Sequence, residues 1–282
     1  QRVFDIFAKG DTTGIFQFES AGMRRYLQEL VPNTFEDIIV MVSLYRPGPM
    51  LYIPTYIKRK HGKEKVKYPH ESLAQILQLT QGIAVYQEQI MQLVQAFAGF
   101  SLGEADILRR AMGKKIKELM DEQKGKFIEA AMKIWHSEKL ATYIFTDIIE
   151  PFAGYGFNKS HAACYSMIAY QTAYLKAYYP TEFLTALMVS DEDDSVRIVL
   201  EINEARSKWI QVLVPDVNES RRHFTYIDKT KIRFGLKAIK GVGDGPIGTI
   251  LSGREWGNYT TLEDLVQKTG SDVINKKTLD AL

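Results

Sequence analysis

Apolar and polar positions along this chain are spaced as one helix after another up to about residue 190, and short apolar runs that read as strands appear only beyond it. Asp11-Thr12-Thr13-Gly14 reads as a turn, followed by the apolar run Ile15-Phe16-Gln17-Phe18. A helix is predicted from Ser20 to about Leu30. Thr34 suits the N-cap of a second, Phe35 to about Leu44, because its hydroxyl can accept a first-turn N–H. That helix must stop before Arg46-Pro47-Gly48-Pro49, since proline breaks the hydrogen-bond ladder. Helical signals return at Ser72–Leu77 and from about Tyr86 to Phe97. Gly99 closes the latter, and Ser101 with Glu104 resembles a capping box for a helix to about Met112. Gly113 is expected to break or bend the chain. Lys114–His136 reads as an amphipathic helix and Ala141–Phe152 as another. After the glycine turn Gly154-Tyr155-Gly156, a long helix with Ser160 as its cap is predicted to reach about Tyr179, where Pro180 stops it.

The character changes after about Ser190. Asp191-Glu192-Asp193-Asp194 is an acidic break, followed by a helix to about Trp209. Val212–Val214, Phe224–Ile227 and Ile232–Phe234 read as short strands, and helical and glycine-turn patterns close the chain. The expectation is a mainly α protein. It has a multi-helix domain over residues 1–200 and a small α+β segment over 201–282, with a soft boundary between 190 and 212.

Composition narrows the class. The chain has 282 residues, 45% hydrophobic and 25% charged, which permits a sizeable core. The net charge of +2 gives no global signature of nucleic-acid binding, so local clusters must carry any such reading. One cysteine excludes an internal disulfide and any multi-cysteine zinc site, and fits a reducing cytoplasm. No apolar run approaches the roughly 18 residues of a membrane span, and Gln1–Gly10 is too polar for a signal peptide. A start without Met and an end in mid-pattern suggest a fragment.

Five segments carry candidate chemistry. In Leu108 to Lys115, four cations (Arg109, Arg110, Lys114 and Lys115) lie within seven residues. Adjacent arginines on a helix diverge by about 100°, yet both can reach a polyphosphate lying across the helix end. The plain alternative is a solvated helix face. In Phe152 to His161, aromatics and glycines alternate before a helix start, a natural anion site. There Asn158, Lys159, Ser160 and His161 supply polar groups and Tyr155 or Phe157 a stacking ring; a structural turn is the alternative. Tyr45-Arg46-Pro47-Gly48-Pro49 reads as an extended, rigid loop that either presents Arg46 to a phosphate or simply links helices. Lys58 to Lys67 sets six cations, among them Lys58, Arg59, Lys60 and Lys63, against one glutamate. That suits sequence-independent contact with a nucleic-acid backbone, or a solubilising loop. Lys240-Gly241-Val242-Gly243 followed by Asp244-Gly245-Pro246 resembles a helix-hairpin-helix turn, whose backbone N–H groups contact DNA phosphates; a plain glycine turn is the alternative. Elsewhere, Glu88 reads as an unpartnered helix-surface acid, Tyr170, Tyr174 and Tyr178 as a core or interface stripe, and Cys164 as a buried small hydrophobe. No P-loop, nucleophile elbow or metal-spaced His/Cys set is present.

Taken in order, these segments resemble the alpha-subunit family of bacterial DNA polymerase III, a C-family polymerase. The matching strings are Thr13-Gly14-Ile15-Phe16-Gln17-Phe18-Glu19-Ser20, Tyr45 to Pro49, Arg59-Lys60-His61-Gly62, Tyr86-Gln87-Glu88-Gln89, Arg109 to Lys115, Phe152 to His161, and Phe234 to Leu236 with Ala238 to Gly243. The resemblance implies a fingers domain followed by the start of a helix-hairpin-helix domain. It implies that Arg109 and Arg110, with Lys114 and Lys115, sit over the incoming dNTP triphosphate, that Asn158 to His161 lie near the nucleotide pocket, and that Arg46 supports them. Primer–template DNA, the sliding clamp and other replisome subunits are the implied partners, and bacterial cytoplasm the implied location. Mg²⁺ is implied too, held by palm aspartates upstream of what corresponds to Gln1. No catalytic or metal-binding residue is therefore expected in this stretch, which alone should be inactive. The rival expectation is a non-enzymatic, sequence-independent nucleic-acid-binding module.

Overall fold

A computed structural model describes residues 1–114, 117–270 and 274–282. The protein is mainly α, with one small sheet near its C-terminal end. The chain separates into two compact units, residues 1–12 with 16–171 and residues 13–15 with 172–282.

Local sequence explains most helix starts in the first unit. The Ser20 hydroxyl accepts from the Met23 amide and caps Ala21–Leu30. Thr34 and Asp37 form a reciprocal capping box at the head of Phe35–Leu44. That helix is buried from Asp37 to Leu44, as an element apolar all round must be. Glu104 receives the Ser101 amide and hydroxyl and opens Leu102–Lys114. Gly99, with φ of 68°, ends Gln87–Ala98 in the left-handed region that glycine enters without steric cost.

One core of this unit gathers Leu73, Leu77 and the inner faces of the helices between residues 87 and 152. Phe97, Phe127 and Phe145 form its aromatic centre, with ring centroids 5.8 Å and 5.6 Å apart in succession. Gly113 lies one residue from the end of Leu102–Lys114, and the two residues after that helix lie outside the described ones. The helix expected over Ala141–Phe152 comprises Glu138–Ile144, a π-helical turn at Phe145–Ile149, and Glu150–Phe152. Pro151 cannot donate a backbone bond and crowds the carbonyl four residues back, and the π register removes that conflict. Cys164 is exposed rather than buried. Its helix, Lys159–Tyr178, buries a narrow face of small residues, Ala162, Ser166, Ala169, Ala173 and Ala177, and Cys164 falls off that face.

In the second unit, helices Pro180–Ser190 and Ser195–Ser207 pack with a three-stranded sheet. The strands are β1 Gln211–Leu213, β2 Thr225–Asp228 and β3 Lys231–Arg233 in the order β1-β3-β2. β3 pairs parallel to β1, Val212 opposite Ile232, and antiparallel to β2, Tyr226 opposite Ile232. Leu184, Met188, Ile198, Phe224 and Ile232 form the core beneath. The acidic stretch is used locally. Asp194 caps Ser195–Ser207, Asp191 holds Arg197, and buried Glu192 receives His223 and Lys237. A separate core of Leu236, Val242, Ile247, Ile250, Tyr259 and Leu265 supports the helices Asp244–Gly253 and Leu262–Thr269. Tyr174 and Tyr178 are about half exposed and pack on each other, 4.6 Å between centroids.

Candidate functional site

The turn before Lys159–Tyr178 is tied by both backbone and side-chain bonds. Phe157 and Tyr86 form a parallel β-bridge: the Phe157 amide donates to the Val85 carbonyl, and the Gln87 amide to the Phe157 carbonyl at 2.9 Å. Two segments about seventy residues apart are thereby fastened together at the backbone. The Gln89 side chain holds the other side, accepting from the Val85 and Tyr86 amides.

The helix cap is Asn158, not Ser160 as expected. Asn158 Oδ1 accepts from the His161 amide at 2.8 Å. Glu88, expected to stand alone, supplies the second half of the cap. Its carboxylate accepts the Lys159 amide at 3.0 and 3.1 Å and the Asn158 side-chain amide at 3.1 Å. A negative group at a helix N-terminus is favoured by the helix dipole and the free first-turn amides. Sequence spacing gives no clue to a partner so distant. Lys159 reaches over the Tyr86 ring, 5.1 Å from its centroid, and pairs with Glu36 at 3.0 Å. Burial, then the Glu36 charge, pushes the Tyr86 hydroxyl well above its usual range, so it remains neutral.

Arg46 closes this arrangement. It donates to the Ser43 carbonyl at 2.9 Å and the Tyr155 carbonyl at 2.7 Å, and its guanidinium lies 4.2 Å from the Phe157 ring centroid. Its loop is compact rather than extended: Gly48 takes φ of 100° and Pro49 opens the short turn Pro49–Tyr52. Arg46, Phe157 and His161 line a cavity of about 370 Å³ with Gln17, Ser20, Met23, Val42 and Tyr45. Three segments singled out by sequence therefore meet at one opening. The Ser20 hydroxyl donates to Tyr45 Oη at 3.1 Å, and His161 packs on Tyr165 at 4.3 Å. Gln17 holds a left-handed φ of 63°, an uncommon state for a non-glycine residue. Tyr155 turns the other way and packs between Tyr52 and Phe152.

Arg109 and Arg110 share one acceptor, the Asp106 carboxylate, at 2.8 and 2.6 Å. Lys114 is exposed. Lys115 lies outside the described residues. Among the described residues, no hydrogen bond or ion pair links the Arg109–Arg110 pair to Asn158, Lys159, Ser160, His161 or Arg46.

The basic run of residues 58–67 divides in two. Lys58 and Lys63 are exposed. Arg59 donates to Glu64 at 2.8 Å and the Gln81 carbonyl at 2.9 Å, while Lys60, only 13% exposed, pairs with buried Asp37. Tyr56 donates to the same Asp37 at 3.0 Å. In the second unit, Lys240 and Gly243 are exposed, and Gly241 takes φ of 99° in the turn before Asp244–Gly253. The element before that turn is a single 3-10 turn, Leu236–Ala238. Asp244 pairs with Arg222.

The chain is a helical body with a cation-flanked aromatic turn, followed by a small sheet and a glycine turn. Residues 1–134 match the bacterial DNA polymerase III alpha subunit finger domain, and residues 209–282 match the helix-hairpin-helix motif. The chain belongs to the DNA polymerase III alpha subunit family. It is 44% identical over 290 residues to the DNA polymerase III subunit alpha of Escherichia coli, covering 100% of this chain and 25% of that protein. The corresponding Thermus aquaticus protein is 48% identical over 287 residues, covering 100% and 23%. That of Bacillus subtilis is 46% identical over 281 residues, covering 100% and 25%. The chain thus spans about a quarter of the length of the curated relatives it matches.

Proposed function

We propose that this chain is the nucleotide- and template-handling part of a DNA-directed DNA polymerase, with residues 1–200 serving as the fingers and 201–282 opening the duplex-binding segment. The observation that carries this reading is the convergence of Gln17 and Ser20, Tyr45 and Arg46, and Phe157 and His161 on one cavity, beside a turn fixed by a backbone bridge and a double cap. Nucleotidyl transfer needs positioning and charge stabilisation more than covalent help from the protein. Rigidly held cationic and aromatic groups suit that task. Arg109, Arg110, Lys114 and Lys115 take the triphosphate. Asn158, Lys159, Ser160 and His161, with Arg46 behind them, shape the wall against the nucleotide. Lys58 and Lys63, and the hairpin at Lys240, Gly241 and Gly243, meet the phosphate backbone of primer–template DNA, while Arg59 and Lys60 shape the basic segment from within.

Mg²⁺ would polarise the phosphates and activate the primer hydroxyl. Among the described residues, no group of three or more His, Cys, Asp or Glu side chains is placed to bind a metal ion. The resemblance assigns that role to palm aspartates. The reading therefore makes the isolated chain inactive and the longer parent a polymerase acting with a sliding clamp and replisome partners in the bacterial cytoplasm. Among the described residues, no helix is long and apolar enough to cross a membrane.

The test is steady-state nucleotide incorporation by the intact parent. Arg109→Ala or Arg110→Ala should raise the nucleotide KM about 10- to 100-fold, from the roughly 1.5–3 kcal/mol of a hydrogen bond to a charged group. Primer–template affinity should change far less. Unchanged KM and kcat would refute the assignment.

A further inference from the structure

We propose that Asp106 is a positioning residue that gathers Arg109 and Arg110 onto one point, so that two guanidiniums grip a single triphosphate. This deepens the function proposed above and rests on those arginines being the nucleotide's phosphate contacts. Neighbouring residues on a helix project about 100° apart, so two adjacent arginines left to themselves face different directions. Asp106 sits three and four residues earlier, one turn away on the same helix face. Its Oδ1 accepts from Nε and Nη2 of Arg109, both at 2.8 Å, and its Oδ2 meets Nη2 of Arg110 at 2.6 Å. Each carboxylate oxygen thus holds one guanidinium.

A guanidinium carries five N–H donors in a fixed plane. The clamp takes the Nε–Nη2 edge of Arg109 and one nitrogen of Arg110, so Nη1 of both arginines lies outside it. The arginine side chains are 39% and 65% exposed against 27% for Asp106, which puts the carboxylate on the inner side of the pair. Hydrogen bonds from Arg109 and then Arg110 hold the Asp106 carboxyl below its usual range. The next helix shows the ordinary surface pattern, one carboxylate to one lysine, at Glu122–Lys126 and Glu129–Lys133. At Asp106, one carboxylate serves two planar forks. Removing it adds a unit of local positive charge, but exposed charges are screened by salt. Loss of orientation in two long side chains is the larger effect.

The experiment measures single-nucleotide incorporation by the intact parent carrying Asp106→Ala, Asp106→Asn or Asp106→Glu, beside Arg109→Ala, with primer–template Kd and Tm measured on each. The expected result for Asp106→Ala is an increase of about 10-fold in nucleotide KM with kcat within about threefold and primer–template Kd unchanged. Asp106→Glu should restore most of the loss. Asp106→Asn, which keeps the shape, should fall between and settles the matter if Asp106→Ala fails to fold. Tighter nucleotide binding in Asp106→Ala would make the carboxylate a mere competitor and overturn the proposal. An unchanged KM, or a parallel fall in kcat, DNA affinity and Tm, would overturn it as well. If Arg109→Ala leaves KM unchanged, the nucleotide reading itself fails; if Arg109→Ala raises KM and the Asp106 variants do not, only the positioning role fails.

Discussion

Replacing Glu88 by alanine isolates the cap that fastens the Asn158–Lys159 turn to the helix Gln87–Ala98. The carboxylate receives two donors, the Lys159 amide at 3.0 and 3.1 Å and the Asn158 side chain at 3.1 Å. A hydrogen bond to a charged group contributes about 1.5–3 kcal/mol when buried, and less where water competes. Glu88 is half-buried, so about 1 kcal/mol per donor is appropriate, in line with the cost of about 1 kcal/mol for losing an N-cap. The total of about 2 kcal/mol corresponds to a roughly 30-fold rise in local opening at the head of Lys159–Tyr178. Native-state amide exchange at Lys159 reads this directly. Glu88→Gln should show about half the effect, since its amide oxygen still accepts but the charge is lost. Unchanged protection of the Lys159 amide in Glu88→Ala would refute the reasoning. An equal loss at Leu93, inside the partner helix, would also refute it, because it would mean global rather than local loosening.

The basic segment of residues 58–67 divides its lysines by task. Lys58→Ala with Lys63→Ala should flatten the salt dependence of primer–template binding by the parent by about 2 in the slope of log K against log salt. Lys60→Ala should instead lower stability by about 3 kcal/mol, because it strands the buried Asp37 carboxylate; equal salt slopes for the three lysines would defeat this division. Burial alone would raise the Asp37 carboxyl, but the Lys60 ammonium, the Asn33 amide and the Thr34 hydroxyl together hold it below its ordinary 3.8. The depressed value contributes stability above the ordinary pKa that is lost as pH falls through the folded one. Asp37→Asn should accordingly be less stable at neutral pH yet less sensitive to acid, as urea midpoints at about pH 7 and about pH 3 will show.

Most helix boundaries in this protein are written in a few adjacent residues. Ser20, Thr34 with Asp37, and Ser101 with Glu104 each satisfy amides within three residues, and those helices begin where their sequence predicts. The three strands likewise fall within about one residue of their predicted limits. What was not legible depends on distance or on small side chains. Asn158 and Ser160 are both competent caps, and the choice is made with help from Glu88, whose position relative to them exists only after folding. Cys164 was misjudged because its helix buries Ala and Ser, so apolar size gave no phase. Charge counting treated Lys58, Arg59, Lys60 and Lys63 alike, although Glu64 and Asp37 engage only the middle two. Asp106, by contrast, stands at helical spacing from both arginines, so its pairing with them is legible in the sequence.

The bridge between Tyr86 and Phe157 gives the helical core between them a neck. The polypeptide enters and leaves that lobe through adjacent backbone segments, held side by side by the bridge. Leu73 and Leu77 complete the core of the lobe from outside the neck, so a change within it is felt there as well. Exchange of the lobe between relatives as one cassette therefore requires that these two residues, and the Glu88–Asn158 pair, travel with it.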